Sequence, residues 1–153
     1  FDHVPSRPLR QLTAPWKPET DPGDRHIYEN EDWVIYAEFA SVHPVSLRVA
    51  AKNQVADLPA LSSDGRDSLA DAIHRIFGAL DAVYEQPLPY MMWINQSPRT
   101  HNAFPDAWLN FEIVSPWRAP GIPRYIAAVE VATEEYFNPV DPADLASRLR
   151  ALL

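Results

Sequence analysis

Residues 66–84, RDSLADAIHRIFGALDAVY, decide the fold class of this chain, because they carry its clearest helical periodicity. The polar cluster at residues 62–65 offers capping oxygens before this stretch, and Pro87 follows it. Charged residues fall on the side opposite to the apolar positions, as in an amphipathic helix. The stretch therefore predicts one long helix, with a buried stripe of Leu69, Ile73, Ile76, Phe77, Leu80 and Val83.

Strand-like segments lie on both sides of this helix. They are rich in β-branched and aromatic residues and are bounded by proline or polar clusters. The acidic turn at residues 29–32 fits a hairpin connection. The predicted strands are residues 27–28, 33–39, 45–51, 88–95, 108–114 and 124–131.

A second helix is predicted at the end of the chain. Asp141 suits its N-cap and Pro142 its first position, with Leu145, Leu149 and Leu152 as the buried stripe. Strands, helix, strands and helix follow one another without regular alternation, which favours an antiparallel α+β domain.

The first 25 residues differ from the rest and predict an extended, proline-rich arm, with the folded domain at 26–153. We expect the arm to dock on a surface through Leu9, Leu12 and Trp16, the alternative being a free tail. The chain opens at Phe1, and we expect further sequence upstream.

Composition excludes several function classes. A formal net charge of -8, without a basic stripe, disfavours nucleic-acid binding. No apolar run approaches the roughly 20 residues that cross a bilayer, so we expect no membrane association. The absence of cysteine removes disulfides, thiolate metal sites and cysteine nucleophiles, but it does not determine the compartment. We expect a soluble, cytoplasmic protein.

The histidines offer no obvious catalytic site. His3, His26, His43, His74 and His101 are scattered, without the spacing of a metal site or a base and its partner. We therefore assign no catalytic residue to this chain.

Two other polar patterns are candidates for binding. Asn110 and Glu112 should share one strand face, either as the solvent side of an edge or half-exposed strand or as ligands of a metal or sugar hydroxyl. In residues 120–130, Arg124 can donate two hydrogen bonds to the oxygens of a phosphate, and Glu130 can accept hydrogen bonds from hydroxyls. The small side chain of Ala127 would let a ligand approach the backbone. The alternative for this second pattern is a surface ion pair and a buried tyrosine.

In order and spacing, several segments together resemble the second half of galactose-1-phosphate uridylyltransferases, of the histidine-triad superfamily. The resemblance implies a histidine-triad-like antiparallel sheet, with one long helix between strands and a C-terminal helix. The segments are ENEDWV at 29–34, FASVHPV at 39–45 followed by Lys52, LPYMM at 88–92, NQSP at 95–98, LNFE at 109–112 through Pro116, residues 124–130 and the closing helix at 142–149.

The resemblance also implies a function. These enzymes transfer UMP between UDP-hexose and hexose 1-phosphate through a covalent histidine intermediate. That histidine belongs to a His-Pro-His-Gln-like motif in the first half of the family, and this chain lacks it, so alone it should be inactive. The resemblance implies a partner N-terminal half, a dimer, no cofactor, and hexose 1-phosphate and UDP-sugar as ligands.

The resemblance assigns sugar-phosphate contacts to the segment that begins at Arg124. Arg124, Tyr125 and Glu130 stand where the family has a basic residue, an aromatic residue and an acid, and Ala127 completes the predicted binding set. Val129 departs from a family tyrosine, which weakens the inference that the same sugar is bound in the same way.

The resemblance further implies a structural metal held by histidines in several family members. Here their places are taken by Asn95, Asn110 and Glu112, and an amide is a poor ligand for zinc or iron. We therefore predict that no metal is bound. Alternatives to the transferase are a non-catalytic nucleotide-sugar-binding or scaffold module, and a nucleotide-sugar or dinucleoside-polyphosphate phosphorylase.

Overall fold

A five-stranded antiparallel sheet forms the framework of the protein in the computed structural model, which describes residues 17–97 and 107–153. The order across the sheet is β1-β2-β3-β5-β4, so β3 is central and β4 lies at one edge. The strands are β1 (His26–Glu29), β2 (Trp33–Ala37), β3 (Val45–Ala51), β4 (Met91–Asn95) and β5 (Asn110–Ser115).

Three helices and a small hairpin complete the described structure, with short 3-10 turns at Gly23–Arg25 and Leu58–Ala60. The long helix lies between β3 and β4 in the chain, as predicted. The helices are α1 (Ser63–Ala82), α2 (Ala128–Thr133) and α3 (Pro142–Arg150), and the hairpin pairs β6 (Trp117–Ala119) with β7 (Ile122–Pro123).

The hydrophobic core lies between one face of the sheet and helices α1 and α3. Alternate side chains of β3 enter it, and Leu145 and Leu149 enter it from α3. Trp33 is fully buried there and its indole N–H donates to the Gly65 carbonyl at 3.1 Å, which fixes the start of α1 against β2. The core thus joins segments from both halves of the chain.

The predicted helix starts are confirmed by their caps. Ser62 Oγ accepts a hydrogen bond from the Gly65 N–H at 3.0 Å, and Asp141 Oδ1 accepts one from the Ala143 N–H at 2.7 Å. The predicted buried stripe of the last helix is wrong at Leu152, which is 45% exposed because α3 ends at Arg150.

The strand predicted at residues 124–131 is also wrong. No strand includes these residues, and α2 occupies Ala128–Thr133. The Glu130 carboxylate accepts the N–H of Ala127 at 2.7 Å, which satisfies a donor at the start of the helix. Ala128 and Ala132, inside the helix, also favour it, and no described strand lies beside these residues to offer the ladder that a strand needs.

The arm lies mostly outside the described residues, including its predicted anchors Leu9, Leu12 and Trp16. Its described end contacts the sheet: Arg25 pairs with Glu19 and donates to the Ala37 carbonyl at 2.9 Å. The division of the chain at residues 25 and 26 stays a prediction. The helices of the described residues lack the length and the hydropathy of a membrane-spanning segment.

Truncating a leucine of α3 tests whether this helix is part of the core. Leu149→Ala should lower the free energy of unfolding by about 2–5 kcal/mol, because Leu149 is completely buried. Urea denaturation measures the loss. Leu152→Ala is the matched control and should cost about 1 kcal/mol or less, since its side chain is half exposed. Equal losses for the two variants would contradict this position of α3.

Candidate functional site

The predicted binding segment begins at the base of the β6–β7 hairpin. Gly121 forms the turn of this hairpin with φ of +68°, a conformation that other residues rarely adopt. Immediately after β7, the Arg124 N–H donates to the Pro116 carbonyl at 2.7 Å. The hairpin, together with this hydrogen bond, therefore fixes the position at which residues 124–137 begin.

Arg124 and Glu130 form a buried ion pair that closes this segment on itself. Their side chains are only 6% and 4% exposed, and Arg124 Nη2 donates to Glu130 Oε1. Arg124 also donates to the Phe137 carbonyl, from Nε at 3.2 Å and from Nη2 at 3.0 Å. The pair is internal, so the surface ion pair that the sequence left open is not observed.

The Glu130 carboxylate also accepts two backbone hydrogen bonds. Its Oε2 accepts from the Ala127 N–H and its Oε1 from the Phe137 N–H, both at 2.7 Å. These two donors, and then the adjacent Arg124 charge, hold the pKa of Glu130 below the ordinary range of a glutamate, although its burial acts in the opposite direction. Glu130 is therefore a carboxylate at neutral pH, and an acceptor.

The other two predicted site residues are accessible. Tyr125 is 83% exposed, so the buried tyrosine of the alternative interpretation is wrong. Ala127 is exposed as well. Hydrogen bonds thus bring Arg124, Ala127 and Glu130 together, while Tyr125 lies on the surface beside them. Sequence reasoning missed Phe137, because its contribution comes from backbone atoms that no side-chain pattern reveals.

A second polar cluster lies on the face of the sheet opposite to the core. Asn110 and Glu112 share this face, as predicted, but β5 lies between β3 and β4 and Asn110 is only 2% exposed, so the edge-strand alternative is wrong. Arg48 of β3 lies between them and Glu38. Sequence reasoning missed Arg48 and Glu38, whose partners lie far away in the chain.

Arg48 is the centre of this cluster. Its Nη1 donates to Asn110 Oδ1 at 2.6 Å and to Glu112 Oε1 at 2.5 Å, and its Nε donates to Glu38 Oε1 at 2.7 Å. Asn95 of β4 donates from Nδ2 to Glu112 Oε1 at 2.7 Å and to Asn110 Oδ1 at 3.0 Å. The cluster therefore connects strands β3, β4 and β5.

The described residues contain no group of three or more histidine, cysteine, aspartate or glutamate side chains that could hold a metal ion. The three positions that the family resemblance assigned to metal ligands, Asn95, Asn110 and Glu112, all lie in the Arg48 cluster instead. Among the histidines, His3 and His101 lie outside the described residues.

Comparisons with known proteins agree with the sequence resemblance. No family model matches the chain. The chain is 26% identical over 133 residues to the galactose-1-phosphate uridylyltransferase of Thermotoga maritima, covering 86% of this chain and 42% of that protein. The rat enzyme of the same name is 25% identical over 133 residues, covering 84% and 35% respectively. The chain thus spans less than half the length of the curated relatives it matches.

Solved structures support the same relationship. A uridylyltransferase superposes with a TM-score of 0.75 at 25% identity, over 85% of this chain and 41% of that one. An ADP-glucose phosphorylase from Arabidopsis thaliana, with bound ADP-glucose, gives 0.69 at 22% identity, over 84% and 40%. A Hit-like protein from Bartonella henselae gives 0.54 at 17% identity, over 84% and 86%, which is a likeness of fold alone.

The predicted fold class is therefore confirmed: the antiparallel sheet with a long helix before its last strands is that of histidine-triad-like proteins. Sequence and fold together make this chain a relative of the galactose-1-phosphate uridylyltransferases, to which it corresponds over less than half of their length.

Proposed function

We propose that this chain is the C-terminal, substrate-holding half of a nucleotidyltransferase that moves UMP between UDP-hexose and hexose 1-phosphate. The observation that carries the proposal is the similarity to enzymes of that name over 86% of this chain. The nucleophilic histidine would come from a complementary N-terminal half with a His-Pro-His-like motif. The chemistry then needs no catalytic residue and no cofactor from this chain.

In this proposal, residues 124–130 hold the sugar phosphate. The Nε and Nη2 atoms of Arg124 donate hydrogen bonds within the segment, to the Phe137 carbonyl and to Glu130. Its Nη1 donates to no described residue, so we assign this nitrogen to a phosphate oxygen. Glu130 accepts three hydrogen bonds, so one of the roughly four acceptor sites of a carboxylate is left for a sugar hydroxyl. The exposed Tyr125 ring can pack against the sugar, and small Ala127 leaves room for it.

The edge of the sheet supports the proposal of a partner half. No strand of the described residues pairs with the outer edge of β4, and its four consecutive apolar residues, Met91, Met92, Trp93 and Ile94, are each at least 39% exposed. Residues 88–97 carry no charge, and an unprotected apolar edge favours the addition of another strand. We assign this edge to the N-terminal half. A dimer and a cytoplasmic location remain part of the proposal.

One observation favours a non-catalytic binding or scaffold module as the second candidate. Arg124 and Glu130 are largely satisfied by each other and by backbone atoms, so the segment keeps its conformation without a ligand. In such a module, the two side chains would be structural only. The phosphorylase alternative has only the fold likeness to the Arabidopsis protein in its favour.

Removing the exposed aromatic side chain tests the sugar contact without disturbing the fold. In the protein completed with its N-terminal half, Tyr125→Ala should raise the KM for hexose 1-phosphate roughly threefold to tenfold, because burying roughly 30–50 Å² of apolar ring surface against the sugar is worth about 0.8–1.3 kcal/mol. Steady-state uridylyl transfer measures this. Phe39→Ala, which removes another exposed aromatic ring, should leave the KM unchanged. An unchanged KM in Tyr125→Ala would remove this residue from the site.

The Glu130 carboxylate should control the order of its own segment. Because its pKa is lowered in the folded protein, its charge stabilises the segment above the ordinary glutamate range, near pH 4.3, and this stabilisation is lost as the pH falls through the lower folded value. Glu130→Gln should therefore speed hydrogen exchange of the Ala127 and Phe137 amides at neutral pH. The difference in amide exchange rate between this variant and the wild type should become smaller only in acid.

The same variant separates the two candidate functions. In the transferase, Glu130→Gln should also reduce kcat/KM for hexose 1-phosphate by roughly tenfold or more, as expected when a charged hydrogen bond to a ligand is lost. Faster amide exchange with unchanged transfer would leave Glu130 a structural role only.

A further inference from the structure

The Arg48 cluster is a closed site for a positive charge, already filled by a side chain. Among the described residues, the guanidinium donates to oxygens from different parts of the sheet: Glu38 after β2, and Asn110 and Glu112 on β5. The Arg48 side chain is only 9% exposed, and the Glu38 and Glu112 side chains are 26% and 21% exposed. A buried cation of this kind is stable only because carboxylates compensate it.

We propose that the Arg48 guanidinium is a built-in cation that cross-links the sheet at the place where the family resemblance implies a structural metal ion. The protein would then hold its edge strand without metal. The proposal concerns the architecture of this chain, so it does not depend on the transferase function.

The orientation of the amides supports this assignment. Asn95 presents its N–H group to Glu112 Oε1 and Asn110 Oδ1, so it acts as a donor where a metal ligand would have to present a lone pair. Asn110 donates its own Nδ2 to the Trp108 carbonyl at 2.8 Å, which directs its oxygen at Arg48. Both amides are therefore oriented by the guanidinium network and not for an ion.

The positive charge of Arg48 also argues against a metal ion in this cluster. Within the cluster, the one guanidinium faces the carboxylates of Glu38 and Glu112, and a metal ion on the same oxygens would have to sit against a buried positive charge. No imidazole or thiolate is present among these side chains, and zinc and iron prefer such ligands to amides. The residues of this site do not fit the metal.

The cross-link reaches the edge strand through Asn95. Both partners of Asn95 lie on β5, the one described strand that pairs with β4, and four of the five side chains of β4 are exposed. Arg48 fixes the oxygens of Asn110 and Glu112, and these in turn hold Asn95 in register. Arg48 is therefore a positioning residue for β4.

Thermal unfolding of the wild type and of Arg48→Ala tests the proposal. The wild type should bind no stoichiometric zinc or iron by elemental analysis, and its melting temperature should be the same with zinc, with ferrous iron or with a chelator. Arg48→Ala should melt roughly 6–20 °C lower, because it leaves the partly buried carboxylates of Glu38 and Glu112 without their cation. Arg75→Ala is the matched control: it removes an arginine from an exposed pair with Asp71 and should shift melting by no more than about 4 °C.

Chemical rescue makes the test specific for the cation. Millimolar guanidinium, well below denaturing concentrations, should raise the melting temperature of Arg48→Ala, whereas sodium chloride at equal ionic strength should not. If Arg48→Ala does not fold, Arg48→Lys serves instead. This variant keeps the positive charge but loses the planar guanidinium that donates to several oxygens at once. It should therefore melt at a lower temperature than the wild type, and hydrogen exchange of its β4 amides should be faster.

Several results would overturn the proposal. A stoichiometric metal in the wild type, or a rise of several degrees in its melting temperature with zinc or iron, would show that an ion holds the site. An Arg48→Ala variant as stable as the wild type, or one that sodium chloride restores as well as guanidinium, would show that the guanidinium cross-links nothing. Arg48→Lys with wild-type melting and exchange would do the same.

Discussion

The burial of Arg48 in the central strand is the constraint on which the sheet depends. Strand β3 is buried along its whole length, with Val45, Leu47 and Val49 in the core and Arg48 on the opposite face. Water cannot solvate that charge, so the chain must bring Glu38 and Glu112 to it. The apolar face of β3 decides where the helices pack, and the charged face decides how β5 and β4 lie beside it.

The candidate site is also held together by a buried arginine that is paired with a carboxylate. The Arg124 and Glu130 side chains are buried against each other. The backbone N–H groups of Ala127 and Phe137 donate the other hydrogen bonds that the Glu130 carboxylate accepts. This arrangement holds residues 124–137 in a defined conformation although much of their surface is exposed, including Tyr125 and Phe137. A ligand would then meet a preorganised segment, and little conformational entropy would be lost on binding.

The sequence predicted those parts of the fold that local patterns control. The period of residues 66–84, the strands around β2 and β3, and the Asp141-Pro142 helix start all depend on neighbours in the chain, and all are observed. The strand predicted at 124–131 is wrong because Val129 and Val131 suggest a strand, whereas no described strand pairs with this segment and the Glu130 side chain caps a helix. The contacts of Arg48 could not be predicted from local sequence patterns either, because its partners Asn110 and Glu112 lie 62 and 64 residues away in the chain.

In the function proposed for this chain, it holds substrate while a complementary half supplies the nucleophile. The most direct test is to incubate the chain with UDP-glucose labelled in the uridylyl phosphate, alone and together with an N-terminal half that carries the His-Pro-His-like motif. We expect covalent label on a histidine of the N-terminal half, and transfer to hexose 1-phosphate only when both halves are present. Label on this chain, transfer by this chain alone, or no transfer from a folded complex of the two would contradict it.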